Sequence, residues 1–344
     1  MPWGAWLSER LVRAECRVIA VRVDHRARGL MSPLAARRRR PFSDSPACPM
    51  AEQIELSKAI GGDGMTSQRI GIIGAGHLGV ALASRLIDVG FDRGNVWLGH
   101  RGSQKSYTTS ATSGVEDRLV DVDAVMQNCD VILYTVRPID YGMLSNYKLR
   151  DGQIIISFLA GVSLSRLSGV AHGSGSIARA IISSPDTISS GQALGVTCGD
   201  MNESARDLFE SMVANFLNLR SENHFEPVTV LGTCLPFILM YCDFIGTAVG
   251  DREILKCAQE YGLGEWGEVI DWARRVRLVD LKKNEIEDYV NQCATPGGIA
   301  ESIMNSLRLH GDFARTVREG IEHAQTMLCV QLEKHGSIGL GGHV

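Results

Sequence analysis

The 344-residue chain lacks the features that would assign it to a disulfide-rich, zinc-binding or membrane class. Its nine cysteines include no Cys-x-x-Cys pair and no cluster with histidines at zinc spacing, so reduced, buried thiols are expected and a metal site is not. The longest apolar run, Val228 to Cys242, has 15 residues, whereas a membrane-spanning helix needs about 20. We therefore expect a buried helix there and no membrane partner.

Lysine is absent from residues 1–50, and the charge of the chain is unevenly distributed. This segment contains ten arginines and four acids, a balance of +6, while the whole chain has a net charge of −4, which leaves −10 for residues 51–344. Such an acidic remainder excludes nucleic acid as the main partner, because phosphate binding needs a basic surface. The content of 44% hydrophobic and 22% charged residues is typical of a folded globular protein.

Regular apolar patterning is also missing from residues 1–66, which we interpret as an extension ahead of the folded protein. An arginine-rich, lysine-free N-terminus is typical of a mitochondrial presequence, although presequences contain few acids. The alternatives are a disordered extension or a start codon assigned too early, with Met65 as the natural start. The protein is expected in the cytoplasm, or in mitochondria if the extension is a presequence.

Short apolar strands alternate with helical patterns from Arg69 to about residue 222. This alternation predicts a Rossmann-like, doubly wound parallel sheet over residues 67–222. Helical patterns are expected over 117–128 and 202–219. The predicted strands are Ile70–Ile73, Val96–Leu98, Val131–Val136, Ile154–Phe158, Ile177–Ile182 and Leu194–Cys198.

Strand patterns stop after residue 222. Long helices are predicted over 228–261 and 298–334, which indicates an all-helical domain over residues 223–334. Residues 335–344 are expected to form a flexible tail. The predicted fold class is thus α/β, with the Rossmann-like sheet followed by the helical domain.

A glycine-rich turn follows the first strand and opens a helix, as Gly74-Ala75-Gly76-His77-Leu78-Gly79. This Gly-x-Gly-x-x-Gly pattern in this context is typical of dinucleotide binding. Gly74 makes the tight turn, Gly76 lets a pyrophosphate approach the backbone, and Gly79 lets helix and strand pack closely. The N-terminus of the helix, including His77 and Leu78, would hold the phosphates through free N–H groups. The alternative is a glycine-rich turn without a ligand.

No acid lies between Gly99 and Glu116, where an NAD site would place one for the ribose 2′-hydroxyl. Arg101, Ser103 and Lys105 instead offer donors to a 2′-phosphate. We therefore expect NADP(H) in preference to NAD(H). The alternative is a solvated basic loop.

Four later segments carry a resemblance to a known family. Asp130–Pro138 is similar to a strand ending in Val-Lys-Pro, and Ile156–Val162 to one ending in Ala-Gly-Val. Arg179–Pro185 is similar to Arg-x-Met-Pro-Asn-Thr-Pro, and residues 295–298 read Thr-Pro-Gly-Gly where the family has Ser-Pro-Gly-Gly. Together they resemble the pyrroline-5-carboxylate reductase family over about residues 68–330.

The resemblance implies a Rossmann domain joined to a helical domain that interlocks with a second subunit, in a homodimer or higher homo-oligomer. It implies hydride transfer from NADPH to the carbon of a cyclic imine, a small-molecule substrate, to give proline. It also implies cofactor contacts from Val136, Arg137, Pro138 and Ala160. In the substrate loop, Thr295 and the backbone N–H groups of Gly298, Ile299 and Ala300 would hold the substrate carboxylate and imine. A plain Pro-Gly turn into a helix is the alternative there.

The substrate half departs from the family pattern. The family threonine that faces the imine nitrogen is Ala300 here, and Glu301 follows it directly. Glu301 would be either a favourable acid at a helix N-terminus or an inward group that repels a substrate carboxylate or replaces the lost proton donor. The family segment Gly-Ser-Gly-Pro-Ala-Tyr is Thr233–Ile238 here, with only the proline kept, and its Cys234 is expected to be a structural thiol.

Three interpretations remain open. The first is an NADPH-dependent pyrroline-5-carboxylate reductase, the second an NADP-dependent oxidoreductase acting on another small imine or keto acid, and the third a cofactor-binding homologue with impaired catalysis. A β-hydroxyacid dehydrogenase would need a catalytic lysine on the long helix. Residues 228–254 contain no lysine, and the next one along the chain is Lys256.

Overall fold

The computed structural model describes residues 54–55, 68–279, 281–294 and 296–339, all within the compact unit Cys48–Val344. The strands are β1 (Ile54–Glu55), β2 (Ile70–Ile73), β3 (Val96–His100), β4 (Leu119–Asp121), β5 (Val131–Tyr134), β6 (Lys148–Leu149), β7 (Ile154–Ser157), β8 (His172–Gly173), β9 (Ser176–Ile182), β10 (Leu194–Gly199) and β11 (Asn215–Leu219).

The helices fall into two groups that follow the predicted halves of the chain. Those interleaved with strands are α1 (His77–Asp88), α2 (Gln104–Thr112), α3 (Val122–Asn128), α4 (Leu164–Val170), α5 (Pro185–Ser189) and α6 (Glu203–Met212). Those after the last strand are α7 (Phe225–Val228), α8 (Leu235–Ile245), α9 (Asp251–Glu260), α10 (Gly267–Val276), α11 (Lys283–Cys293), α12 (Ile299–His310) and α13 (Phe313–Gly339).

The main sheet has the strand order β1-β11-β10-β9-β7-β5-β2-β3-β4 within the described residues. From β4 to β9 neighbouring strands are parallel, and their order along the sheet is that of a Rossmann fold. β10 runs antiparallel to β9, and β11 is parallel to β10. The predicted doubly wound sheet followed by helices is therefore confirmed.

Both faces of the sheet are covered, because consecutive residues of a strand point to opposite faces. On β2, Ile72 belongs to a core with α1, and its neighbour Ile73 belongs to a core with α3. Leu82 and Leu86 of α1 are fully buried on the first face. Because β2, β3, β5 and β7 are parallel, their carboxyl ends meet at one edge of the sheet, where a ligand of such a sheet binds.

Two regions that are predicted to be helical each contain a strand. Residues 117–128 form a 3₁₀ turn at Glu116–Arg118, then β4 and only afterwards α3. The region 202–219 is helical only through Met212 and continues as β11, whose Asn-Phe-Leu-Asn-Leu sequence places Phe216 and Leu217 in the core. β1 lies inside the predicted extension and pairs antiparallel with β11.

The predicted long helices are each divided at a glycine. The region 228–261 begins as a π-helical segment, Thr229–Thr233, and α8 ends at Gly246, whose φ of 75° is left-handed. The region 298–334 is divided at Gly311, whose φ is 59°. Glycine adopts this conformation without steric cost, and it therefore terminates helices in this way.

The helical region shares a core with the last strands of the sheet. Every residue from Leu235 to Cys242 is buried, as expected for the longest apolar run. These side chains pack with β10, β11 and the later helices in one hydrophobic cluster. Within the described residues no single helix has the length and apolarity of a membrane span, and one pair bent by 46°, Glu222–Thr233 with Leu235–Ile245, has them only when taken together.

A buried ion-pair cluster joins β9 to the start of the helical region. The guanidinium of Arg179, only 2% exposed, donates to Glu222 at 2.6 Å and to Glu226 at 3.1 Å. It also lies 3.9 Å from the centre of the Phe225 ring. The cluster fixes the residues at which the chain leaves the sheet.

Replacing Arg179 with methionine is expected to lower the free energy of unfolding by about 3 kcal/mol, because two carboxylates would lose their buried partner. The matched control is Arg315→Met, which breaks an exposed pair with Glu319 and should cost less than about 1 kcal/mol. Urea unfolding followed by circular dichroism measures both. Equal effects of the two substitutions would contradict this role of Arg179.

Candidate functional site

The glycine turn is held by the end of the neighbouring strand. Gly74 has a φ of 117°, and a Cβ there would lie 2.7 Å from the carbonyl oxygen of Thr135. The Thr135 hydroxyl, directly after β5, donates to the Gly74 carbonyl at 3.0 Å. Only glycine fits this tight turn, in agreement with the role predicted for Gly74.

The other two glycines of the motif have different surroundings. A Cβ on Gly79 would lie 2.0 Å from the carbonyl oxygen of Gly74, so helix α1 approaches the turn more closely than any side chain allows. A Cβ on Gly76 would meet no protein atom within 4 Å. The space beside Gly76 is therefore open to a ligand that approaches the backbone.

The N-terminus of α1 is free to bind an anion. Its first internal hydrogen bond runs from Val80 N–H to Gly76 at 3.0 Å, so the N–H groups of His77, Leu78 and Gly79 precede the helical hydrogen-bond pattern. No side chain caps this end, and its first turn contains no acid. These N–H groups and the helix dipole suit a pyrophosphate. The His77 side chain is exposed and does not belong to the core.

A cavity of about 610 Å³ opens beside the carboxyl ends of β3 and β4. Its position is where the nucleoside end of a dinucleotide lies in a sheet of this order. The walls come from those strand ends, from α3 and from the 3₁₀ segment Pro138–Asn146. The lining residues are His100, Arg101, Asp121, Val122, Asp123, Ala124, Gln127, Asn128, Met143, Asn146 and Tyr147.

The basic loop after β3 is exposed, and two of its side chains form hydrogen bonds within the protein. Arg101 donates to the carboxylate of Asp140 at 3.2 Å. The Ser103 hydroxyl accepts from the Ser106 N–H at 3.2 Å and thereby caps α2. Lys105 is exposed in the first turn of that helix. Sequence analysis missed Asp140, because it follows β5 and no spacing along the chain predicts its approach to β3.

The remaining predicted cofactor residues follow β5 and β7, on the same edge of the sheet as the glycine turn. Val136 is half-buried, Arg137 is exposed and Pro138 opens the 3₁₀ segment. Ala160 lies half-buried in the loop after β7. The structure thus gathers the predicted cofactor residues at the carboxyl edge.

The predicted substrate loop leads into α12. Thr295 lies outside the described residues. Gly298 is the buried N-cap of α12, Ile299 is its first residue, and Ala300 is half-buried. Ala300 offers no hydroxyl, so the loop has no side-chain donor at this position.

Two side chains hold the loop by its backbone at Gly297. The Glu301 carboxylate accepts from the Gly297 N–H at 2.7 Å. The His323 ring on α13 lies 3.0 Å from the Gly297 carbonyl oxygen through its Nε2. An acid therefore already occupies one N–H group of a loop expected to bind a carboxylate.

Helix α13 contacts both the substrate loop and the loop after β7. His323 meets Gly297, and residues of the same turn meet Gly161, where a Cβ would lie 2.8 Å from the Met327 side chain and 3.0 Å from the Ala324 carbonyl oxygen. His323 and Met327 are four residues apart and share one helix face. The structure thus connects the substrate loop to the carboxyl edge of the sheet through one helix turn.

Cys234 does not have the properties of a nucleophile. Desolvation raises the pKa of its thiol to about 11. The thiolate is consequently scarce at neutral pH, and Leu235 beside it is fully buried in the helical core. Within the described residues no group of three His, Cys, Asp or Glu side chains could hold a metal ion.

The first half of the sheet matches a family of oxidoreductases. Residues 69–161 match the family model described as NADP oxidoreductase, coenzyme F420-dependent. The matched segment contains β2 to β7, the glycine turn and the cavity. Together these observations support a nicotinamide cofactor and an oxidoreductase class. No curated protein sequence matches the chain.

Solved structures similar to this chain include three pyrroline-5-carboxylate reductases. The Plasmodium falciparum enzyme, with NADP bound, is 18% identical over 77% of this chain and 99% of its own, with a TM-score of 0.48. The Streptococcus pyogenes enzyme is 17% identical over 75% and 98%, with a TM-score of 0.48. The Coxiella burnetii enzyme is 17% identical over 76% and 99%, with a TM-score of 0.49. One fold hosts many activities, so this likeness describes the fold and not the reaction.

Proposed function

We propose that the chain is an NADPH-dependent reductase of a C=N bond, most simply of pyrroline-5-carboxylate to proline, and that it acts as a homodimer or higher homo-oligomer. The observation that carries the proposal is the contact of one turn of α13 with both Gly297 and Gly161. It connects a loop similar to the family's substrate loop to the edge that carries the dinucleotide motif. A small imine held there would lie near the reactive end of a bound dinucleotide.

The reaction mainly requires that the imine and the NADPH are correctly positioned. NADPH, when bound, supplies the hydride. The N–H groups at the start of α1 would hold its pyrophosphate, and Val136 and Ala160 would flank it at the carboxyl edge. A protonated C=N bond accepts hydride readily, so the chain needs orientation and electrostatics more than a strong base. The N–H groups of Gly298, Ile299 and Ala300 would orient the substrate.

A second candidate is the reduction of a small imine that has no carboxylate. It is favoured by the bond between the Glu301 carboxylate and the Gly297 N–H. Two carboxylates on one loop repel each other, whereas a cationic iminium is attracted to one. Under this alternative, the Glu301 carboxylate takes the place of the substrate carboxylate that the family's loop binds.

The test follows NADPH oxidation by the full-length protein with pyrroline-5-carboxylate and, separately, with 1-pyrroline, which lacks the carboxylate. Turnover on the order of 1 per second or more with pyrroline-5-carboxylate would support the first candidate. Faster turnover of 1-pyrroline would support the second. Binding of NADPH without oxidation by either imine would contradict both and favour another small substrate, such as a keto acid, or impaired catalysis.

A further inference from the structure

Asp140 lies between two arginines at the carboxyl edge of the sheet. Its Oδ2 atom accepts from Arg137 at 2.9 Å and from Arg101 at 3.2 Å. The Asp140 side chain is 17% exposed, whereas those of Arg101 and Arg137 are 56% and 72% exposed. One largely enclosed carboxylate therefore binds two exposed guanidinium groups that come from different strand ends.

Two hydrogen bonds hold the backbone of Asp140 in place. The Asp140 N–H donates to the Arg137 carbonyl at 2.9 Å, within the first turn of the 3₁₀ segment. The Asp140 carbonyl accepts from the hydroxyl of Tyr134, which is fully buried, at 3.1 Å. The arginines can therefore turn toward a ligand while the carboxylate stays in place.

The position of Arg101 connects this cluster with the cavity beside β3, which Arg101 lines. A 2′-phosphate held there would compete with Asp140 for the same guanidinium donors. It would also meet a net charge of only +1 from the two arginines and the aspartate. A ribose 2′-hydroxyl, by contrast, is a hydrogen-bond donor that a carboxylate accepts.

We propose that Asp140 determines cofactor choice: it weakens the binding of a 2′-phosphate and so narrows the preference for NADPH over NADH. Asp140 is then the acid that the sequence lacks after β3, supplied instead from the segment after β5. The inference rests on the proposed dinucleotide site. We expect the native protein to prefer NADPH by less than about tenfold.

The experiment measures binding of adenosine 2′,5′-bisphosphate and adenosine 5′-phosphate, which differ only in the 2′-phosphate, by calorimetry on the full-length protein. Asp140→Asn should bind the bisphosphate about tenfold more tightly, and it should bind the monophosphate no more tightly than the native protein does, because an amide oxygen accepts from the 2′-hydroxyl no better than a carboxylate. The gain should disappear in the double variant Asp140→Asn with Arg101→Gln. NADPH and NADH titrations of the same proteins should show the same shift in preference.

The matched control is Asp151→Asn, which removes an exposed aspartate on the turn before β7 and should change neither affinity. An equal gain for both nucleotides, or no gain for the bisphosphate, would overturn the role of Asp140 and leave the dinucleotide site intact. A native protein that binds none of these nucleotides would instead overturn the proposed dinucleotide site, and this inference with it.

Discussion

Replacing Gly76 with alanine is expected to lower NADPH affinity by about a hundredfold while leaving the fold intact. A Cβ at this position meets no protein atom within 4 Å and would enter only the space that a pyrophosphate needs. The backbone there has a φ of −90°, which alanine adopts without strain. Losing hydrogen bonds to a charged phosphate costs about 3 kcal/mol, or about a hundredfold in affinity.

Gly79→Ala is the matched comparison in the same turn. Its Cβ would lie 2.0 Å from the Gly74 carbonyl oxygen, so α1 must move away from the turn. We expect this variant to lose about 1–3 kcal/mol of stability as well as NADPH binding. Fluorescence titration with NADPH and urea unfolding together distinguish the two variants. Native NADPH affinity in Gly76→Ala would show that no phosphate approaches this turn.

Replacing Ala300 with threonine is expected to raise turnover of pyrroline-5-carboxylate by about a hundredfold. Ala300 is half-buried at the start of α12 and carries no donor. The family that this loop resembles in sequence has a hydroxyl there, facing the imine nitrogen. A positioned proton donor contributes about a hundredfold or more to rate. The quantity to measure is kcat, from the rate of NADPH oxidation at saturating imine.

Ala300→Val is the control, because valine has the shape of threonine without its hydroxyl. It should give no gain, and the difference between the two variants isolates the hydrogen bond from the change in volume. If threonine and valine give the same rate, the missing hydroxyl does not limit the reaction. The Glu301 carboxylate on the neighbouring Gly297 N–H would then be the residue to replace.

The elements that sequence analysis located best are those with a continuous apolar run between clear boundaries. Ile70–Ile73 is buried on both faces and ends at Gly74, so its bounds agree with the prediction. β4 has three residues at the edge of the sheet and is only partly buried, too short for a pattern that competes with the helix after it. The apolar residues of β11 continue the helical spacing of α6, so the sequence alone predicts one helix over both elements.

The candidate site likewise contains a part that the sequence predicts and a part that it does not. The glycine turn was predictable because its residues are consecutive and each glycine has a local steric cause. Asp140 was not, since 39 residues separate it from Arg101 and only the strand order brings them together. The contact of α13 with Gly161 and Gly297 likewise depends on tertiary packing, which periodicity along the chain does not encode.

The most direct measurement of the central claim is transfer of an isotopic label. The full-length protein is incubated with either pyrroline-5-carboxylate or 1-pyrroline and with NADPH deuterated at the reactive nicotinamide carbon, and the amine product is analysed by mass spectrometry. Hydride transfer to the C=N bond predicts one deuterium on the former imine carbon of the product. Protein that binds the deuterated NADPH and yields no labelled amine from either imine would contradict it.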